Sequence, residues 1–260
     1  MTDKSEWPIA VFDSGLGGIS VLNAITALMP QENYIYYGDS ENAPYGTRSV
    51  EEVVELTLAS AKFLMEKNIK ALVVACNTAT TAAIDVLRDT YPNMPVIGIE
   101  PALKPAVLAK PYSRILVMAT PITIQEQKFQ QMMEGYRNEA DIIPLACPGL
   151  AEFVEKGVFE GEVIDRYMNQ FIGPYMDKKI DSIVLGCTHY PFVRDAILKV
   201  TGKDVVVFDG AYGTARQLQR QLSEQGLLSV EKSSRMEVLN SSKDPRFIAC
   251  SHQLISSGRA

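Results

Sequence analysis

The chain has 260 residues, of which 47% are hydrophobic and 22% charged, and its formal net charge at pH 7 is −6. This is the composition of a soluble globular protein, and the length fits one large domain or two smaller ones. Lysines and arginines are scattered, so nothing indicates nucleic acid as a partner. The polar segment 1–6 lacks the apolar region of a signal peptide, and no apolar run approaches the ~20 residues of a membrane helix. We therefore expect a cytoplasmic protein that does not bind membranes.

Patterns typical of strands and helices alternate along the chain. Strands are predicted at 9–12, 34–37, 96–99, 114–119, 141–146 and 205–208, and two more end at Cys76 and Cys187. Helices are predicted at 20–28, 102–108, 123–134, 150–155, 162–176 and 214–225. A further helix is predicted to begin at the capping box of Ser49 and Glu52, and another follows Cys76. The tail is less regular, with short strands at 235–239 and 246–249.

This alternation predicts an α/β fold with mainly parallel sheets flanked by helices. The two cysteine strands are 111 residues apart (187 − 76), and the stretches around them are similar. We therefore expect two similar lobes with the active site in the cleft between them. A single doubly wound sheet remains the alternative.

The first strand leads into a glycine-rich turn, Asp13 to Gly18, and then into a helix. Free backbone N–H groups at a helix start make an anion cradle. The spacing is not GxGxxG, so a nucleotide is only weakly indicated. A carboxylate site and a plain tight turn remain the alternatives.

Two of the four cysteines are candidates for proton transfer. Cys76 and Cys187 each end a strand and precede hydroxyl or amide donors at a helix start. The helix dipole there is expected to lower a thiol pKa from about 8.5, which allows acid–base work near neutral pH. Cys147 and Cys250 are interpreted as small buried hydrophobes. No CxxC pair is present, which argues against disulfides and a zinc ribbon.

A pair of thiols suits the inversion of a carbon centre. One thiolate removes a proton from one face, and the other thiol supplies a proton to the opposite face. A single nucleophilic cysteine would need only one such stretch and a histidine base.

Side chains near the two thiols could support this chemistry. Asp13, Asp39, Glu155 and His189 are candidate acid–base partners, although Asp39 and Glu155 fit solvated surface acids equally well. Fixed donors for substrate carboxylates and developing charge are predicted at Ser14, Asn77, Thr78, Thr188 and the backbone of Tyr45 and Gly46. No residue set suits pyridoxal phosphate, and Cys-Thr-His at 187–189 is not a zinc spacing, so no cofactor or metal is expected.

Short motifs run in order from position 9 to about 216. They are Phe12-Asp13-Ser14-Gly15-Leu16-Gly17-Gly18, Tyr37-Gly38-Asp39 with Pro44-Tyr45-Gly46, Ala75-Cys76-Asn77-Thr78-Ala79, Gly98-Ile99-Glu100-Pro101, Ala119-Thr120 with Thr123, Cys147-Pro148-Gly149-Leu150, and Gly186-Cys187-Thr188-His189-Tyr190-Pro191. With these motifs the chain resembles the glutamate racemases of the aspartate/glutamate racemase superfamily.

The resemblance implies cofactor-independent interconversion of L- and D-glutamate, which supplies D-glutamate for peptidoglycan. Cys76 would serve the D-enantiomer and Cys187 the L-enantiomer. Asp13, Glu155 and His189 would assist these thiols, and the substrate would be held by Asp13, Ser14, Tyr45, Gly46, Asn77, Thr78, Thr188 and His189. The resemblance also implies a homodimer, with a first lobe at 1–98 plus 211–260 and a second at 99–210.

One segment departs from the family pattern. Pro121-Ile122 stands where a glycine-containing turn is usual, so Thr120 and Thr123 are left out of the predicted site. Three alternatives remain: an aspartate racemase, a single-cysteine enzyme such as a decarboxylase, and a non-catalytic binding or inhibitor protein. Two intact cysteine motifs speak against the second, and the third is retained as a secondary role.

Overall fold

The computed structural model describes residues 4–231 and 234–258, which form two parallel β-sheets flanked by helices. The strands are β1 (Ile9–Asp13), β2 (Tyr34–Gly38), β3 (Ala71–Val74), β4 (Val96–Gly98), β5 (Arg114–Ala119), β6 (Asp141–Ala146), β7 (Ser182–Leu185), β8 (Val206–Asp209) and β9 (Met236–Asn240). The helices are α1 (Ile19–Leu28), α2 (Val50–Met65), α3 (Asn77–Thr90), α4 (Leu103–Ala109), α5 (Pro121–Gln125), α6 (Gln127–Glu134), α7 (Leu150–Glu155), α8 (Glu162–Phe171), α9 (Arg194–Thr201), α10 (Ala211–Glu224) and α11 (Pro245–Ser257). Short 3-10 helices lie at Lys4–Glu6, Tyr45–Thr47, Gly173–Lys178 and Tyr190–Val193. The predicted two-sheet α/β fold is confirmed, and the single doubly wound sheet is excluded.

The two sheets divide the strands by position in the chain, with one exception. In the first sheet the order is β4-β3-β1-β2-β9, and in the second it is β6-β5-β7-β8. The exception is β9, which returns from the C-terminal segment and pairs in parallel with β2, so that Gly38 lies opposite Asn240. All strand pairs in the described residues are parallel.

Strand β1 is buried on both faces, which explains why its sequence is a continuous apolar run. Ile9 and Val11 face one apolar cluster, while Ala10 and Phe12 face another, because successive side chains of a strand point to opposite sides. The first cluster also contains Leu116 of β5, so one apolar core contacts both sheets.

The predicted strand at 246–249 is wrong, because this segment belongs to α11. Oδ1 of Asp244 accepts the backbone N–H of Arg246 at 3.0 Å, and Pro245 occupies the first helical turn. An aspartate cap followed by proline is typical of a helix start. The neighbouring prediction, a strand at 235–239, is confirmed as β9.

Two predicted helices are shorter than expected. The helix expected at 162–176 ends as α8 at Phe171, and Pro174 lies in the 3-10 helix that follows, because proline cannot continue an α-helix. The helix expected to end at 134 is divided into α5 and α6 at Glu126, whose backbone is extended. In the described ranges no helix combines the length and apolarity that crossing a membrane requires.

Candidate active site

Strands from both sheets end at one place. β1 ends at Asp13, β3 is followed by Cys76, and β7 is followed by Gly186 and Cys187. Oγ1 of Thr188 donates to Oδ2 of Asp13 at 2.9 Å, which links the two sheets directly. In parallel α/β proteins this edge, outside the carboxyl ends of the strands, is where ligands bind.

The Cys76 thiol caps helix α3. Its Sγ accepts the backbone N–H of Ala79 and lies 3.5 Å from Oγ of Ser14. The expected lowering of its pKa is wrong: burial, with a further contribution from Asp13, raises the pKa of the Cys76 thiol to about 12. The loss of water around the charged form outweighs the helix N-terminus and the hydrogen bond with Ser14. The surroundings of Cys76 therefore favour the protonated thiol at neutral pH.

Cys187 has a different set of neighbours. Its Sγ lies 3.6 Å from Nδ1 of His189, and Nε2 of the same ring lies 2.6 Å from Oε1 of Glu155. Burial lowers the pKa of His189, but the hydrogen bonds with Cys187 and Glu155 outweigh it and raise the pKa well above 6.5. The geometry therefore favours an imidazolium held between a carboxylate and the second sulfur.

Asp13 is fully buried beneath the site. Oδ1 accepts the backbone N–H of Gly15 at 2.9 Å, and Oδ2 accepts the Thr188 hydroxyl. Burial raises the pKa of Asp13, and the nearby His189 opposes this rise. A carboxylate in this position disfavours a thiolate at Cys76, in agreement with the raised pKa of that thiol.

The glycine-rich turn lets the two halves approach each other closely. A β-carbon on Gly17 would lie 2.5 Å from Nδ1 of His189 and from Oγ1 of Thr188. A β-carbon on Gly15 would lie 2.0 Å from Oε1 of Glu155. The glycines are thus required by contact with side chains of the second half.

Three threonines from both halves meet beside α3. Oγ1 of Thr78 lies 3.2 Å from Oγ1 of Thr120 and 3.2 Å from Oγ1 of Thr123, and the latter two are 2.8 Å apart. Thr120 and Thr123 were left out at the sequence level because of the intervening Pro121. A threonine cap with proline at the first helical position would have identified them, since Thr120 caps α5.

Both polar atoms of the Asn77 side chain are available to a ligand. Its side chain is buried, and within the described residues neither Nδ2 nor Oδ1 has a hydrogen-bond partner. Buried polar groups in proteins are nearly always satisfied. A ligand with both a donor and an acceptor would complete this amide.

Tyr45 and Gly46 lie in the short 3-10 helix between β2 and α2. The Tyr45 hydroxyl donates to Oδ2 of Asp39 at 2.6 Å, so the phenol is committed to the loop. A β-carbon on Gly46 would lie 2.8 Å from the Thr120 side chain. Of the two acids whose placement was open, Asp39 thus orders this loop and Glu155 contacts His189. Among the described residues, His, Cys, Asp and Glu side chains form no group of three suited to a metal ion.

The site combines two buried thiols, one from each sheet, with acid–base groups beside each of them. Such a set is suited to proton transfer. Residues 19–218 match the Asp/Glu/hydantoin racemases, and the chain belongs to this family of isomerases.

The chain is similar to several known proteins over nearly its whole length. It is 48% identical over 256 residues to the glutamate racemase of Clostridium botulinum (strain Alaska E43 / Type E3), covering 98% of this chain and 99% of that one. It resembles the structure of Francisella tularensis subsp. tularensis SCHU S4 glutamate racemase in complex with D-glutamate, with a TM-score of 0.85, 27% identity, and coverage of 97% and 94%. For Escherichia coli glutamate racemase in complex with L-glutamate and the activator UDP-MurNAc-ala, the TM-score is 0.85, with 28% identity and coverage of 97% and 96%.

Proposed function

We propose that the protein is a glutamate racemase that interconverts L- and D-glutamate without a cofactor, using Cys76 and Cys187 as two acid–base groups. The observation that carries this proposal is the contrast between the two thiols. Burial beside Asp13 keeps Cys76 protonated, whereas Cys187 faces an imidazolium. A two-base inversion needs its acid and its base in opposite protonation states at the start.

The reaction begins at the Cα–H bond of the substrate. The Cys187 thiolate removes this proton from one face, and the electron pair remains on Cα and its carboxylate. The Cys76 thiol then donates its proton to the opposite face, which leaves Cys187 as the thiol and Cys76 as the thiolate. The family resemblance assigns Cys187 to L-glutamate and Cys76 to D-glutamate.

The neighbouring groups have separate tasks in this scheme. Glu155 and His189 support the charge on Cys187, and Asp13 controls Cys76. The groups proposed to hold the substrate are Asp13, Ser14, Asn77, Thr78, Thr188, His189 and the backbone of Tyr45 and Gly46. The unpartnered Asn77 amide supports this assignment, because a carboxylate and an ammonium group offer the acceptor and the donor that it lacks.

Wider features follow from the family resemblance and are proposed with it. The first lobe comprises 1–98 and 211–260 and the second comprises 99–210, of which positions 1–3, 232–233 and 259–260 lie outside the described residues. The membership of β9 in the first sheet supports this division. We also propose a cytoplasmic homodimer that supplies D-glutamate for peptidoglycan.

The test is isotope exchange at Cα. The protein is incubated with L-glutamate or D-glutamate in deuterated water without added cofactor, with inversion followed by circular dichroism and deuterium uptake by NMR. We expect inversion in the unmodified protein and its loss in both Cys76→Ser and Cys187→Ser. Cys147→Ser is the matched control, since this thiol is also buried but follows β6.

Two other outcomes would change the assignment. Inversion of aspartate with no exchange of glutamate would make the protein an aspartate racemase. Binding of glutamate with no exchange at Cα would favour a non-catalytic role and contradict the two-base scheme.

A further inference from the structure

The loop after β2 and the C-terminal strand β9 meet beside Glu155. Oγ of Ser40 lies 2.9 Å from Nδ2 of Asn240 and 3.5 Å from Oε2 of Glu155. An amide nitrogen only donates, so the Ser40 oxygen accepts from Asn240. The hydroxyl proton of Ser40 is therefore directed to the carboxylate.

The orientation of the Asn240 amide is fixed by its other end. Oδ1 accepts the backbone N–H of Ser242 at 2.8 Å, so Nδ2 must face Ser40. Gly38, opposite Asn240 in the strand pair, leaves room for this amide, since a β-carbon there would lie 3.0 Å from Nδ2. The backbone N–H of Ser242, just after β9, thus orients the Asn240 amide and, through it, the hydroxyl of Ser40.

Both oxygens of Glu155 are then engaged. Oε1 accepts from His189 and from the backbone N–H of Leu16 at 2.6 Å, and Oε2 accepts from Ser40. A continuous series of hydrogen bonds runs from Asn240 through Ser40, Glu155 and His189 to the Cys187 sulfur. We call these five residues the relay.

We propose that Ser40 and Asn240 are positioning residues that act through Glu155 and His189 on the Cys187 thiol. This proposal rests on the proposed function, because it concerns the same thiol. The Ser40 hydroxyl fixes the plane of the Glu155 carboxylate and disperses its negative charge. The C-terminal strand thereby tunes how strongly Glu155 attracts the imidazolium proton.

The chain offers a direct readout because it contains only 2 histidines, His189 and His252. Protein labelled with 15N-histidine gives two sets of ring signals, which His252→Gln assigns. The variants are Ser40→Ala, Asn240→Leu, which is uncharged and of similar size, and the two combined. Ser241→Ala is the matched control: Oγ of Ser241 accepts the N–H of Glu41 at 3.0 Å, joining the same two segments outside the relay.

We expect Ser40→Ala to raise the pKa of His189, because a carboxylate with fewer donors attracts the imidazolium proton more strongly. We expect kcat to fall about fivefold, because an imidazolium drawn more strongly to Glu155 stabilises the Cys187 thiolate less, and we expect KM to change less than about twofold. Asn240→Leu should act in the same direction but less strongly, and should add nothing to Ser40→Ala. Ser40→Thr, which keeps the hydroxyl, should restore the His189 signals.

Three results would overturn the proposal. They are unchanged or lowered pKa values of His189 in Ser40→Ala, equal effects of Ser241→Ala, and additive effects of the two relay substitutions. Thermal unfolding of each variant detects a loss of folding. If Ser40→Ala does not fold, Asn240→Leu is compared with the unmodified protein in its place. The NMR titration needs no turnover, so a protein that racemises nothing would refute the proposed function without deciding the relay.

Discussion

Replacing Glu155 by glutamine tests the electrostatics of the Cys187 side of the site. The amide oxygen of Glu155→Gln can take the place of Oε1 and accept from Leu16 and His189, both at 2.6 Å in the present structure. The shape and these hydrogen bonds are then retained, while the negative charge is lost. The substitution thus separates the charge from the packing.

The size of the effect follows from the contacts of His189. Its ring is buried, and burial opposes the imidazolium; Cys187 and Glu155 overcome that penalty. A hydrogen bond to a charged group contributes about 1.5–3 kcal/mol, against about 0.5–1.5 kcal/mol for a neutral one, so loss of the charge in Glu155→Gln should lower the pKa of His189. If the imidazolium supports the Cys187 thiolate, kcat should fall about tenfold to a hundredfold.

The assay combines the 15N-histidine titration with racemisation kinetics. Glu152→Gln is the control, since it removes the same charge from the same helix, α7. An imidazolium that persists to the same pH in Glu155→Gln, with kcat unchanged, would refute the assignment of Glu155 as the counter-charge. An equal loss in Glu152→Gln would show that the effect is one of net charge.

Three further outcomes are expected. Because the pKa of Cys76 rises from 9.0 to about 12, its alkylation by iodoacetamide at pH 8, measured by mass spectrometry, should be about a thousandfold slower than that of an ordinary thiol. An alkylation rate that levels off below pH 10 would contradict this. Since the folded state holds the thiol proton more tightly than the unfolded chain, the contribution of Cys76 to stability is present below pH 9 and lost as the pH rises toward 12. Gly17→Ala should lower both activity and Tm, because its β-carbon would lie 2.5 Å from the imidazole of His189. The control is Gly213→Ala on α10, whose β-carbon meets nothing within 4 Å and which should leave activity and Tm unchanged or raise Tm slightly. Equal Tm values for the two variants would be inconsistent with the close approach of Gly17 to His189. Lys70→Met should lower the free energy of unfolding, measured by urea titration, by about 3–5 kcal/mol, because it leaves the fully buried Glu32 carboxylate without its ion-pair partner. Adding Glu32→Leu should recover part of this loss. A change in the free energy of unfolding under about 0.5 kcal/mol for Lys70→Met would contradict the buried pair.

Local patterns were sufficient for strands β1 to β9 and for the residues that end them, although they wrongly predicted a further strand at 246–249. Asp13 and Cys76 directly follow buried apolar runs, and a parallel sheet places such positions at one edge. The Ser49 capping box was likewise readable, since it depends on residues three apart, and both of its hydrogen bonds are present.

Contacts between distant parts of the chain were not readable in this way. His189 and Glu155 are 34 residues apart, and Ser40 and Asn240 are 200 apart, so no local spacing reveals their hydrogen bonds. The prediction that the pKa of Cys76 is lowered was wrong for a related reason. The helix start is a local feature, whereas burial and the position of Asp13 depend on the whole fold.

The position of β9 in the first sheet has a consequence for the order in which the chain can fold during synthesis. The second sheet is built from contiguous sequence, Arg114 to Asp209, whereas the first needs strands from both ends of the chain. Until Met236 to Asn240 have been synthesised, β2 is an unpaired edge that can pair with other chains. The second half can complete its sheet before the first. The nascent protein therefore carries an exposed β2 edge until its C-terminal segment has emerged.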